Sequence, residues 1–159
     1  MSFSALKVAK GIYQKYSYLG YPLDIEEVAT LEGCEIVEWP FSGKVKEAKR
    51  GHWIGLAKNL EIPERRFLIA HALAHEFLHC GNQLSFHDPF NHYRNQQEKE
   101  ADECAAHILI PEDELAKLGS ASVWEIAEEF DVPEEIARKR IEDFSTEAEK
   151  RCWQNLEER

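Results

Sequence analysis

The sequence predicts an α+β fold in which a helix pair leads into a small antiparallel sheet and a helical remainder. Three observations predict it. Apolar residues recur at helical spacing in several separate segments. Two short stretches, EIVEWPF (35–41) and GHWIGLA (51–57), read as strands. The 159 residues suit one domain with a small appended unit, and that is chain enough for a core without disulfides.

Residues 4–18 carry Leu6, Ala9, Ile12, Tyr13 and Tyr16 on one helical face. Asp24 is a natural N-cap for a second helix, with Ile25, Val28, Ala29 and Leu31 inside and Gly33 closing it. Between the two strands, SGKVKEAKR (42–50) reads as a basic loop or hairpin tip. Pro63 suits the first turn of a long helix that runs unbroken to Gly81. A polar and aromatic loop, 81–95, leads to a second long helix, 96–110, which Pro111 stops. Residues 112–119 read as a link. Two further helices, 121–129 and 134–144, flank the turn FDVP, and a charged tail follows from Ser145. The boundary expected from this pattern sets 1–118 as the main domain and 119–159 as a helical extension packed on it.

The net charge is -11. Phosphate binding needs a basic face, so direct DNA or RNA binding is disfavoured and a basic protein partner is easier to accommodate. The segment 122–141 has a helix-turn-helix look, but Arg138, Lys139 and Arg140 are outweighed by eight nearby carboxylates, Glu125 to Asp143. Two packed helices sharing Trp124, Phe130 and Ile136 as core are the better expectation. Cys34, Cys80, Cys104 and Cys152 form no C-x-x-C pair, and MSFSALKVAK has no apolar signal core. The expected setting is the reducing cytoplasm, with no membrane span.

The chemistry concentrates in HALAHEFLHC, residues 71–80. Histidines four apart on a helix project from nearly one side and can meet one metal ion. His71, His75 and His79 offer two registers. The pair His75 and His79 brackets Glu76 in a complete H-E-x-x-H. The pair His71 and His75 brackets Ala72 where that pattern has glutamate. A third ligand must come from another element, and the next helix supplies Glu98 on the same face as Asp102. Glu98 then ligates and Asp102 holds a ligand imidazole in place. Small Ala101 and Ala105 lie near that face and let the helices approach, while Glu100 and His107 point away.

RRFLIAHALAHEFLH (65–79) and EKEADECAAHILIP (98–111) together resemble the two motifs of the ImmA/IrrE metallopeptidases. The resemblance is strong from Arg65 to Pro111 and looser over most of the remaining chain. It implies a zincin-like metallopeptidase domain that cleaves a helix-turn-helix transcriptional repressor. It implies zinc as the ion, with manganese also compatible with the ligand types. It places the metal ligands at His71, His75 and Glu98, and the general-base glutamate at the position of Ala72. A methyl group cannot take a proton from water, so the expected protein binds metal and cuts little or nothing. Alanine there is either a deliberate replacement or the mark of a natural pseudo-peptidase that sequesters a regulator. An active peptidase using His75, Glu76 and His79 stays open.

Four further readings complete the expectations. His87, His92 and Tyr93, in the loop before the second long helix, could donate to a developing oxyanion or bind substrate. His52 beside Trp53 belongs to the small sheet. If the family's substrate mode applies, residues 51–57 could pair with an extended peptide. Cys80 and Cys104 read as core thiols rather than ligands.

Overall fold

A computed structural model describes residues 2–79 and 92–157, with the side chains of 92–94 and 156–157 outside that description. Its architecture is α+β, with eight helices and one three-stranded sheet among the described residues.

Helix α1 is Phe3–Tyr16, capped by the Ser2 hydroxyl, which accepts from the Ala5 amide at 3.3 Å. It buries Ala5, Ala9, Ile12 and Tyr16, then tightens into a 3-10 turn at Ser17–Leu19. Helix α2, Ile25–Leu31, is capped by Asp24, and Gly33 follows its end with φ +83°, a value that favours glycine.

The strands are β1 (Glu35–Glu38), β2 (Glu47–Arg50) and β3 (Trp53–Leu56), in spatial order β1-β3-β2. β2 is antiparallel to β3, but β1 is parallel to it, so the sheet is mixed and not purely antiparallel as expected. The reason is the extra strand. Residues 47–50, expected as part of a loop, form β2 and return through the two-residue turn Gly51-His52, with Gly51 at φ +59°. Two reversals leave β1 and β3 pointing the same way. β3 takes the centre because Ile54 and Leu56 are fully buried, while charged β2 tolerates an edge.

Helix α3 is Ile62–His79 and α4 is His92–Leu109. α4 therefore starts four residues before the expected boundary, and the rest of the expected loop lies outside the described residues. α3 and α4 pack against each other, and both carry alanines without exposed surface, Ala70 and Ala74 on α3 and Ala101 and Ala105 on α4. Side chains this small allow a close approach. The N-terminal half of α3 is tied down by Arg66. Its guanidinium donates to the carbonyls of Leu23 (2.6 Å), Asp131 (2.9 Å) and Phe130 (3.3 Å).

Residues 112–118, expected as a link, form helix α5 (Glu112–Leu118). Three carboxylates in its first turn suit the positive end of the helix, and Gly119 at φ +65° closes it. Helix α6 (Val123–Phe130) opens with a capping box between Ser122 and Glu125, and α7 (Glu134–Glu142) and α8 (Glu147–Glu157) follow. The expected shared core of α6 and α7 is only partly right. Phe130 is buried in the main core beside Tyr21, and Ile136 is buried in a smaller cluster with Ala106 and Phe144. Trp124 is 61 % exposed, because it lies on the face of α6 away from both.

The basic residues of α7 are spent internally. Arg138 pairs with Glu134 and Glu142, and Lys139 with Glu135. Arg140 is fully buried, where it donates to both Glu149 oxygens at 2.9 Å and to the Ile110 carbonyl. Among the described residues no helix is long and apolar enough to cross a membrane.

Candidate metal centre

α3 carries His71 and His75 one turn apart, and α4 brings Glu98 and Asp102 against them. His71 Nε2 lies 3.2 Å from His75 Nε2. Glu98 closes the triangle, with Oε2 3.0 Å from His71 Nε2 and Oε1 2.8 Å from His75 Nε2. A tetrahedral ion with bonds of roughly 2.0–2.1 Å needs ligand atoms about 3.3 Å apart. The two ring nitrogens and a Glu98 oxygen are therefore close enough together to hold a metal ion, and among the described residues no other residue joins the group. Two ring nitrogens facing each other share at most one proton between them, whereas an ion satisfies both lone pairs and the carboxylate at once.

Burial sharpens the case. His71 and His75 are 5 % and 3 % exposed. Burial alone would push the Glu98 pKa up, but the hydrogen bonds of His71 and His75 outweigh it and hold the carboxyl well below its usual range. Burial likewise disfavours a charged His71, yet the Asp102 and Glu98 carboxylates, with Glu47 behind them, raise it to about 10. Asp102 Oδ1 lies 2.9 Å from His71 Nδ1, close in distance though not aligned as a hydrogen bond. The other ring nitrogen, Nε2, is the one turned toward His75 and Glu98.

The alternative register is arranged differently. Glu76 is bonded to Lys49 of β2, and His79 Nε2 approaches Glu100 at 3.9 Å. Glu100 thus lies on the His79 side of α4 and does not point away as expected. His107 does point away, to the Phe144 carbonyl at 2.8 Å. Ala72 is completely buried.

Of the other expected residues, His87 and Cys80 lie outside the described residues. His92 and Tyr93 open α4, and their side chains are outside the description. Cys104 is a core thiol, its pKa pushed up to about 12 by burial and then by Glu103. His52 is in edge-to-face contact with Trp53 at the sheet surface.

Two residues near the site were missed from sequence. Glu47 and Lys49 alternate on β2 and are 6 % and 2 % exposed. The run KEAKR shows no apolar alternation, so it looked like a loop. The only available signal was the spacing of two charged residues two apart beside a strand.

A buried two-histidine, one-glutamate group on paired helices beside a small sheet defines a metallopeptidase-type domain. The chain matches the family model for Peptidase M78, the IrrE N-terminal-like domain, over residues 30–142, and belongs to that family. Among curated proteins no sequence matches. Among solved structures, a Mycobacterium tuberculosis transcriptional regulator is similar at TM-score 0.52 and 14 % identity, over 91 % of this chain and 53 % of the regulator. At that identity the likeness speaks to the fold, and the chain spans about half the regulator's length.

Proposed function

We propose that the chain is a cytoplasmic zinc metallopeptidase scaffold of the ImmA/IrrE type, directed at a helix-turn-helix repressor and silenced at position 72. Residues 119–159 serve as a helical extension on the peptidase domain of 1–118. The observation that carries the reading is the convergence of His71, His75 and Glu98 beside a buried Ala72.

In this reading His71, His75 and Glu98 hold the ion and Asp102 steadies the His71 ring. Zinc, when bound, supplies the Lewis acidity that polarises a scissile carbonyl and acidifies a water; manganese fits the same donor types. The water's proton needs an acceptor on α3. Ala72 has no lone pair, and the next carboxylate along the helix, Glu76, is engaged by Lys49. Loss of a general base costs roughly 10²–10⁴-fold in rate.

The test is restoration. Ala72→Glu and the parent chain are loaded with zinc and incubated with purified helix-turn-helix repressors from the same genome. Chelator-sensitive fragments from Ala72→Glu alone are expected. Cleavage by the parent chain at a comparable rate overturns the reading. The buried Ala72 also favours a second reading, a pseudo-peptidase that sequesters a regulator. Stable complex formation without cleavage by Ala72→Glu would select it.

Direct DNA binding has little support, since Arg138 and Lys139 are paired and Arg140 is buried.

A further inference from the structure

Successive side chains of a strand point to opposite faces of its sheet. Ile54 and Leu56 of β3 are fully buried on the face that meets α3. The register sets Trp53 and Gly55 of β3, Ala48 and Arg50 of β2 and Val37 of β1 on the other face. There they line a cavity of about 570 Å³.

The rest of its wall comes from the segment 39–45, which folds back over the sheet. The Trp39 N–H donates to the Leu56 carbonyl at 2.8 Å, and the Phe41 N–H to the Trp39 carbonyl at 2.9 Å. Gly55 makes room for this segment. A Cβ there would meet Phe41 Cζ at 3.4 Å and Trp39 Cβ at 3.6 Å, so a larger side chain would run into both aromatic residues. The Trp53 ring is held by its indole N–H, which donates to His52 Nε2.

The cavity has a definite chemistry. Trp39 is 56 % and Trp53 47 % exposed, so large apolar surfaces beside it stay in water. Its volume falls within the roughly 300–1,000 Å³ of small-molecule sites. Flat aromatic walls favour a flat aromatic occupant, stacked or edge-on. The chain has 30 acidic residues against 19 basic ones, yet this wall has no carboxylate and one guanidinium, Arg50. Glu35 shares the face but lies across Trp53 from Arg50 and outside the wall. Arg65, Arg66, Arg138 and Arg140 are each engaged by carboxylates or carbonyls. The Arg50 side chain has no hydrogen bond or ion pair among the described residues. A guanidinium fork matches a carboxylate with two parallel hydrogen bonds.

We propose that this cavity is a binding site for a small planar aromatic carboxylate. The ring system lies against Trp39, Phe41 and Trp53, and the carboxylate accepts from Arg50. The site is on the face of the sheet opposite α3 and does not depend on the metal-holding reading.

The test titrates the full chain with naphthoate, and with naphthamide as its neutral counterpart, by calorimetry. The indole N–H signals of the four tryptophans, followed by NMR, locate the binding. Saturable binding of naphthoate is expected, with shifts at Trp39 and Trp53. Naphthamide should bind about 10-fold more weakly, as should naphthoate to Arg50→Gln, because each change removes one partner of a charged hydrogen bond. Gly55→Val fills the cavity and should weaken both probes alike. Zinc content of Arg50→Gln should match the parent. Absence of saturable binding up to millimolar naphthoate overturns the proposal. Equal affinity for the two probes, or parent-like naphthoate affinity in Arg50→Gln, overturns it too. Shifts confined to Trp124 and Trp153 place the binding elsewhere and also overturn it. A parent dimer that Trp53→Ser dissociates, with no naphthoate bound by either, assigns the face to a second copy and overturns the proposal.

Discussion

The ammonium of Lys49 on β2 is bonded to the carboxylate of Glu76 on α3. This pair engages the glutamate of the complete-looking motif at 75–79, while His71 and His75 turn toward Glu98. Among the described residues, the incomplete register is the one that groups two histidines and a glutamate closely enough to hold a metal ion.

The register can be tested by metal analysis. His71→Ala is expected to lose bound zinc, and His79→Ala to keep it. Zinc lost only in His79→Ala would reverse the assignment.

The Lys49–Glu76 pair predicts an asymmetry in stability. Lys49 is 2 % exposed and Glu76 is 43 % exposed. Glu76→Ala strips a buried ammonium of its counter-charge and is expected to cost about 2 kcal/mol. Lys49→Met removes the buried charge itself and should stay within about 1 kcal/mol of the parent. Urea denaturation compares them, and equal costs would contradict this account of the pair.

Metal binding should be linked to protons. His71 is held protonated in the metal-free site, with its pKa raised to about 10. An ion at Nε2 must displace that proton, so affinity is expected to rise as pH rises toward 10. About one proton should be released per ion near neutral pH. Calorimetry in buffers of different ionisation enthalpy measures the number, and zero release would contradict the protonated state.

His107 predicts the acid limb of stability. Burial, then the nearby Arg140 charge, pushes its pKa from 6.5 down to about 4. The fold therefore holds it neutral, and protonation favours the unfolded chain. Its contribution is complete above pH 6.5 and is lost as pH falls toward 4, on the order of 3 kcal/mol in all. His107→Gln should flatten that limb in denaturation series with zinc present, and an unchanged slope would rule His107 out as its source.

The buried Arg140 and Glu149 pair predicts a cost remote from the metal. Both Glu149 oxygens accept from Arg140, and one also accepts from the Thr146 amide. Glu149→Ala leaves an uncompensated guanidinium and is expected to cost about 3–5 kcal/mol while zinc content stays the same. A small change in melting behaviour would contradict it.

Much of the fold was legible because its signals are local. The Asp24 cap, the unbroken run from Pro63 and the stop at Pro111 depend on neighbours in sequence. The elements that escaped are those without local signals. β2 has charged residues on its buried face, and α5 follows a proline within a short polar stretch. Trp124 looked like core because helical periodicity does not say which face meets the protein.

The sequence by itself determined the candidate donors. Histidines one turn apart share a helix face whatever surrounds them, as do Glu98 and Asp102, and the resemblance over 65–111 connected the two helices. It also determined that position 72 lacks a carboxylate. Only the tertiary structure decided which histidines meet Glu98, because that depends on how α3 and α4 pack against each other. It alone decided that Glu76 faces Lys49 and that Glu47 is buried on the same strand, because β2 comes from elsewhere in the chain and no local pattern encodes where it docks.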